Sequence, residues 1–250
     1  MDEALGSEKE RLKLISNSFY NTIIFSIFNY QRGPMRWEDN FFLKVTDDMV
    51  DTVSVIEMLI KKGFRNQCRR ECRFALELAI KAAYINQQNP KSDFSAQIKG
   101  FQKLLKDPGI TIVNQLNYSL FAGDQQLIDA FNTELKRMYG NLCNFIHVTP
   151  FQLKEKLEFA KTRTVTEELS LDEFKILNEE IGKVLSYIIV LLFNSIPEYI
   201  VGDFLEPAPL DFYFLKSKFI AKIDEQFDYK HEREARLEEA RIARTQNIEF

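Results

Sequence analysis

Four polar side chains at helical spacing interrupt an otherwise apolar stretch: Arg73, Glu77 and Tyr84 fall at i, i+4 and i+11, and Arg69 stands one turn before Arg73. At about 100° per residue they share a narrow sector of one helix. A guanidinium in such a sector can hold a phosphate or a carboxylate as a planar fork, and a glutamate can exchange protons. A second set lies in the segment from Arg137 to His147, where Arg137, Asn141 and Asn144 form a polar stripe and His147 stands at the expected C-terminal end. There the helix dipole favours an imidazolium. Together these types could hold an anion and move a proton, with His147 as general acid or base and Arg73 or Arg137 as the cation. The same residues have an architectural reading, in which Arg73 and Glu77 are buried, paired with a neighbouring helix and joined to His147 in one polar knot.

Metal chemistry has little to build on. Cys68-x3-Cys72 has helix spacing without a second Cys/His pair, Cys143 is isolated, and the two histidines, His147 and His231, lie far apart. The cysteines are read as reduced core thiols, with no metal site and no cofactor.

The elements that must position these groups follow from a 3.6-residue apolar period with few glycines and prolines. A first helix is predicted from Glu8 to Tyr30 on the stripe Leu12, Ile15, Phe19, Ile23 and Ile27, ended by Gly33-Pro34. Thr46 is the predicted N-cap of a second, with Asp47 and Asp48 in its first turn, stopping near Gly63. A third spans Arg65 to Gln88, with Phe74, Ala75, Leu78, Ala79, Ala82, Ala83 and Ile85 covering most of its circumference. A fourth runs from Phe94 to Leu105. Asp124 caps a fifth from Gln125 to His147, whose core face is Leu135, Met138, Leu142, Phe145 and Ile146. Residues 151 to 169 are mixed in character, and the Ser170/Glu173 pair has capping-box spacing for a helix running to Ser195. The expected fold class is all-α, an up-and-down helical bundle with additional N- and C-terminal helices.

The first residues lack a basic flank and a cleavage site, so no secretion signal is expected. The apolar run Val184 to Ile196 falls short of the ~20 residues of a membrane span. A cytoplasmic location with no membrane partner is therefore expected. The net charge of −4 argues against bulk capture of nucleic acid. The run Tyr229 to Arg244 is charged and poor in large apolar residues, and is expected to be an exposed helix or tail, held by its own ion pairs and dispensable for folding.

Arg73-x3-Glu77-x6-Tyr84 on an apolar helix, followed by Tyr139-x2-Leu142-x4-His147 closing another, resembles a largely uncharacterised bacterial branch of HEPN-like proteins. The resemblance covers roughly Met49 to Val148. It implies a helical bundle core over 49–148 within a single domain of residues 1–228, residues 229–250 forming a charged C-terminal helix or tail. It also implies a polar cluster of Arg69, Arg73, Glu77, Tyr84, Tyr139, Asn144 and His147. Catalytic HEPN ribonucleases carry Arg-x4–6-His; here Asn141 stands at the arginine position for a five-residue gap, and nine residues intervene between Arg137 and His147. Asn141 brings no guanidinium to a phosphate. The resemblance thus implies a non-enzymatic or regulatory domain of a bacterial defence or toxin-type system, a homodimer or one bound to a partner protein or RNA. The alternative it implies is a metal-independent endoribonuclease with His147, Arg73, Glu77, Arg137 and Asn141 as site residues.

Overall fold

A computed structural model describes residues 2–32, 36–88, 93–146, 150, 153–154, 157–158, 169–206, 212–230, 234 and 237–250. Among these residues the chain is all-α, with no strand: α1 (Asp2–Tyr30), α2 (Phe41–Lys44), α3 (Thr46–Lys61), α4 (Arg65–Gln88), α5 (Phe94–Leu104), α6 (Gln125–Cys143), α7 (Leu171–Phe193), α8 (Glu198–Leu205), α9 (Lys218–Glu225) and α10 (Leu237–Gln246).

Side-chain pairs set the direction of each long helix. Arg65 and Arg69 at the start of α4 meet Glu173 and Glu180 near the start of α7, while Asn86 near the end of α4 donates to the carbonyl of Ser195 beyond α7, so these two run parallel. Arg70 at the start of α4 instead donates to the carbonyl of Phe145 just past α6, which makes α6 antiparallel to both. Gly63, at φ 74°, turns the chain between α3 and α4 in a conformation that costs glycine little. Tyr20 of α1 bonds Ser54 of α3 across a second antiparallel pair. In chain order α1, α3, α4, α6 and α7 therefore alternate in direction, giving the up-and-down bundle.

Why α7 is central is plain from its composition: all ten residues from Val184 to Phe193 are buried. Each large apolar side chain so placed contributes ~1.5 to 3 kcal/mol. Its N-terminus carries the expected capping box, with the Ser170 amide donating to Glu173 at 2.9 Å. Its C-terminal carbonyls are also satisfied: Asn194 and Ser195 bond back to Val190 and Leu191, and Asn40 and Asn86 both donate to Ser195. No helix among the described residues is long and apolar enough to cross a membrane.

Several expectations change. The first helix begins at Asp2, ahead of Glu8. Thr46 is the first helical residue of α3 and not its cap, because its hydroxyl donates to the carbonyl of Leu43 and leaves no oxygen turned to the helix amides. Phe74 and Ile146, read as core, are 52% and 39% exposed. α6 ends at Cys143 and α7 at Phe193, each slightly earlier than the periodicity suggests. The short helices α2, α8 and α9, of four to eight residues, are not among the expected elements. Most of 151–169 lies outside the described residues.

The C-terminal region departs furthest from expectation. α10 is mostly exposed, but Arg244 is buried, pairing with Asp224 at 3.3 Å and Asp228 at 2.7 Å. Beyond α10 the chain returns to the body: Lys218 donates its amide to Phe250 and Glu249 donates to Lys216, while the Glu249 carboxylate receives Arg11 at 3.1 Å. Lys230, Arg244 and residues 249–250 thus dock on the domain. Glu232, Arg233 and Arg236, which would form ion pairs within this run, lie outside the described residues.

Arg11 also fixes Tyr213, donating to its hydroxyl at 3.0 Å, and that ring lies against Gly182 of α7. A Cβ at position 182 would come within 3.0 Å of the ring. Gly182→Val is accordingly expected to destabilise the fold by ~1 to 3 kcal/mol through overpacking, since Tyr213 is held and cannot swing aside. Chemical denaturation of both proteins checks this; equal midpoints would show that the ring has room to move.

Candidate functional site

The polar sector of α4 faces α6 and α7. Arg65 pairs with Glu173 at 2.5 Å and Arg69 holds Glu180 by two hydrogen bonds at 2.7 and 3.2 Å. The Arg69 guanidinium also lies 4.5 Å from the centre of the Phe145 ring. One turn further on, Arg73 is 6% exposed and engaged on three sides. It pairs with Glu77, donates from Nε to Cys143 Sγ at 3.3 Å, and stacks 3.4 Å above the Tyr139 ring.

Glu77 is the centre of this cluster. Lys81, 5% exposed, reaches Glu77 Oε1 at 2.7 Å, and the amide of Gly109 approaches the same oxygen at 3.4 Å. Arg73 and the Tyr139 hydroxyl, the latter at 3.3 Å, occupy Oε2. Burial pushes the Glu77 carboxyl up, but hydrogen bonds from Lys81 and Arg73 outweigh it and hold the group below its ordinary value. The Tyr139 phenol is pushed up to about 12, chiefly by burial and further by Glu77, against the opposing charge of Arg73. Two cations, one carboxylate and one phenol thus satisfy one another in a partly dry pocket.

The structure therefore brings Arg73, Glu77 and Tyr139 together, with Arg69 one turn away on Glu180. It does not bring in Tyr84, whose hydroxyl donates to Gln115 at 3.2 Å. Eleven residues at about 1.5 Å of rise carry Tyr84 three turns past Arg73 along the same face. Asn144 lies exposed in the turn after α6. His147 and His231 lie outside the described residues. Lys81, Cys143 and Gly109 are members of the cluster absent from the sequence reading. Lys81 carried a usable signal, being at i+4 from Glu77; Gly109 and Cys143 reach it only through tertiary packing.

Arg137 and Asn141 are exposed on the other side of α6. They line an open groove of about 450 Å³ between α6 and α7, with Glu134, Glu179, Lys183 and Tyr187. Lys218 pairs with Glu134 within it, and Tyr187 donates to the same carboxylate at 3.1 Å. Two further grooves lie elsewhere, one of about 450 Å³ between α1, α3 and the start of α7, the other of about 500 Å³ between α9 and α10.

The thiols offer no nucleophile at the core: burial pushes Cys68 up to about 12 and Cys72 well above the ordinary thiol value. Among the described residues no cluster of three or more His, Cys, Asp or Glu could hold a metal. The chain matches no family model, no curated protein and no solved structure.

Proposed function

We propose that this chain is a non-enzymatic helical module that works by binding a partner protein, a second copy of itself being the first to test. The observation that carries the reading is the closure of the Arg73–Glu77–Lys81–Tyr139 cluster: both oxygens of Glu77 are occupied, and Arg73 is spent on Glu77, Cys143 and the Tyr139 ring. To stabilise a phosphorane, Arg73, itself buried, would have to leave the part-buried carboxylate that neutralises it, an exchange costing several kcal/mol (~3 to 5). The resemblance to HEPN-like proteins supports a place in a bacterial defence or toxin-type system, acting in the cytoplasm, and the departure at Asn141 supports a role other than cleavage.

A second reading, metal-independent ribonuclease, draws on one observation: Arg137 and Asn141 stand exposed on the helix that leads toward His147 and line an open groove. Incubating the purified chain with RNA in excess chelator separates the two. No cleavage above the buffer rate is expected, and none that changes in His147→Ala. Cutting that survives chelation and falls by ~10² to 10⁴ in His147→Ala, with helical content unchanged, would overturn the binding reading. Light scattering across a concentration series then tests self-association, where a strictly monomeric chain would direct the search to a different partner protein.

A further inference from the structure

Most basic side chains facing the bundle are neutralised: Arg65, Arg69, Arg73, Lys81, Lys218, Lys230 and Arg244 each meet a carboxylate. α5 is built the opposite way. From Phe94 to Lys106 there is no acidic residue, although the chain as a whole carries a net charge of −4. Lys99, Lys103 and Lys106 are exposed, and none forms an ion pair among the described residues. At 100° per residue they fall within about 60° of arc.

Beside them the same helix exposes large apolar side chains. Phe94 is 43% exposed, Ile98 37% and Leu105 60%, and the three share about 40° of arc. On the far side of Phe94, Lys44 of α2 sets its ammonium 3.3 Å from the ring centre, so cations stand on both flanks of the apolar strip. The helix is anchored from below: Gln97 is fully buried and donates to the carbonyl of Asp39, and Phe101 packs on Phe41 at 5.4 Å. Its N-terminus is capped by Asp93. α5 thus carries its lysines on one side and an exposed apolar strip whose edge lies about 80° round from them.

We propose that this face of α5 is a docking surface for an anionic lipid membrane. Unpaired lysines call for a polyanion, and exposed Ile98 and Leu105 call for a partner that also offers apolar depth; the headgroup and acyl boundary of an anionic bilayer supplies both. A nucleic acid would satisfy the lysines while leaving the aliphatic side chains wet, and the Phe94 face is already covered by Lys44. This reading departs from the expectation of no membrane partner, which rested on the length of a spanning helix and did not weigh peripheral attachment.

The test is sedimentation of the full chain with vesicles of phosphatidylcholine alone and of phosphatidylcholine mixed with phosphatidylserine, at low and high salt. Binding only to the mixed vesicles is expected, weakening as salt screens the lysines. The triple variant Lys99→Gln, Lys103→Gln, Lys106→Gln should lose about a hundredfold in partitioning. Ile98→Ser with Leu105→Ser, which keeps every charge, should also bind more weakly, and at both salt concentrations. All five substitutions lie at exposed positions, so unchanged circular dichroism and melting temperature should accompany the loss. Wild-type chain that ignores phosphatidylserine vesicles, or a triple variant that binds as wild type does, would overturn the proposal. So would a chain that binds single-stranded RNA through these lysines while leaving the vesicles unbound.

Discussion

Glu77→Ala is expected to lower stability by ~3 to 5 kcal/mol, because it strips the carboxylate from two cations, Arg73 and Lys81, that remain buried at 6% and 5% exposure. The cost comes from leaving charge in a dry site more than from losing attraction. Glu77→Gln keeps the shape and an acceptor for Lys81, and should fall between the two. Acid dependence provides an independent check. The folded-state value of Glu77 is depressed, so its contribution is fully present above the unfolded-state value of about 4.3 and is lost as pH falls through the folded one. Wild type should therefore converge on Glu77→Gln as pH drops below about 4. Denaturant midpoints that coincide at neutral pH for wild type and Glu77→Ala would show that water, not Glu77, neutralises these cations.

Truncation after Phe227 carries the second large effect, with the sign opposite to that expected from composition. It removes Arg244 from Asp224, which is 3% exposed, as well as the Lys230–Asp203 pair, the backbone pairing of 249–250 with Lys216 and Lys218, and the Glu249 contact to Arg11. Arg244→Ala alone should cost ~3 to 5 kcal/mol by withdrawing the cation next to a buried carboxylate. The truncated chain should melt at least as early as that variant. If both retained the wild-type melting temperature, the tail would be the detachable helix that its sequence suggests.

The difference between these two regions explains what could be read in advance. The Asp124 cap of α6 and the Ser170/Glu173 box of α7 are local events, each decided within four residues by a side chain and its own backbone. The Arg73–Glu77 pair is local in the same sense. Arg244 is not: in sequence it is one arginine among many in a polar run, and its burial depends on Asp224, twenty residues away and on another helix. Phe74 misleads for a related reason. Its apolar neighbours on α4 made a full apolar circumference look buried, but Phe74 itself stays 52% exposed among the described residues. Tyr139 entered the expected cluster through the family resemblance, whereas Gly109 could be placed only by the loop that carries it to Glu77.

The contact between Arg11 and Glu249 joins residues 238 positions apart, and Glu8 meets Asn178 across 170. At synthesis rates of about 5 to 20 residues per second, roughly 10 to 50 s separate the emergence of Arg11 from that of its partner. Through that interval the stripe of Leu12, Ile15, Phe19 and Ile23 has been made, while much of the surface that buries it has not. A segment made well before its partners is thus among the last to reach its native surroundings, and the interval on the ribosome is when its apolar stripe most needs shielding.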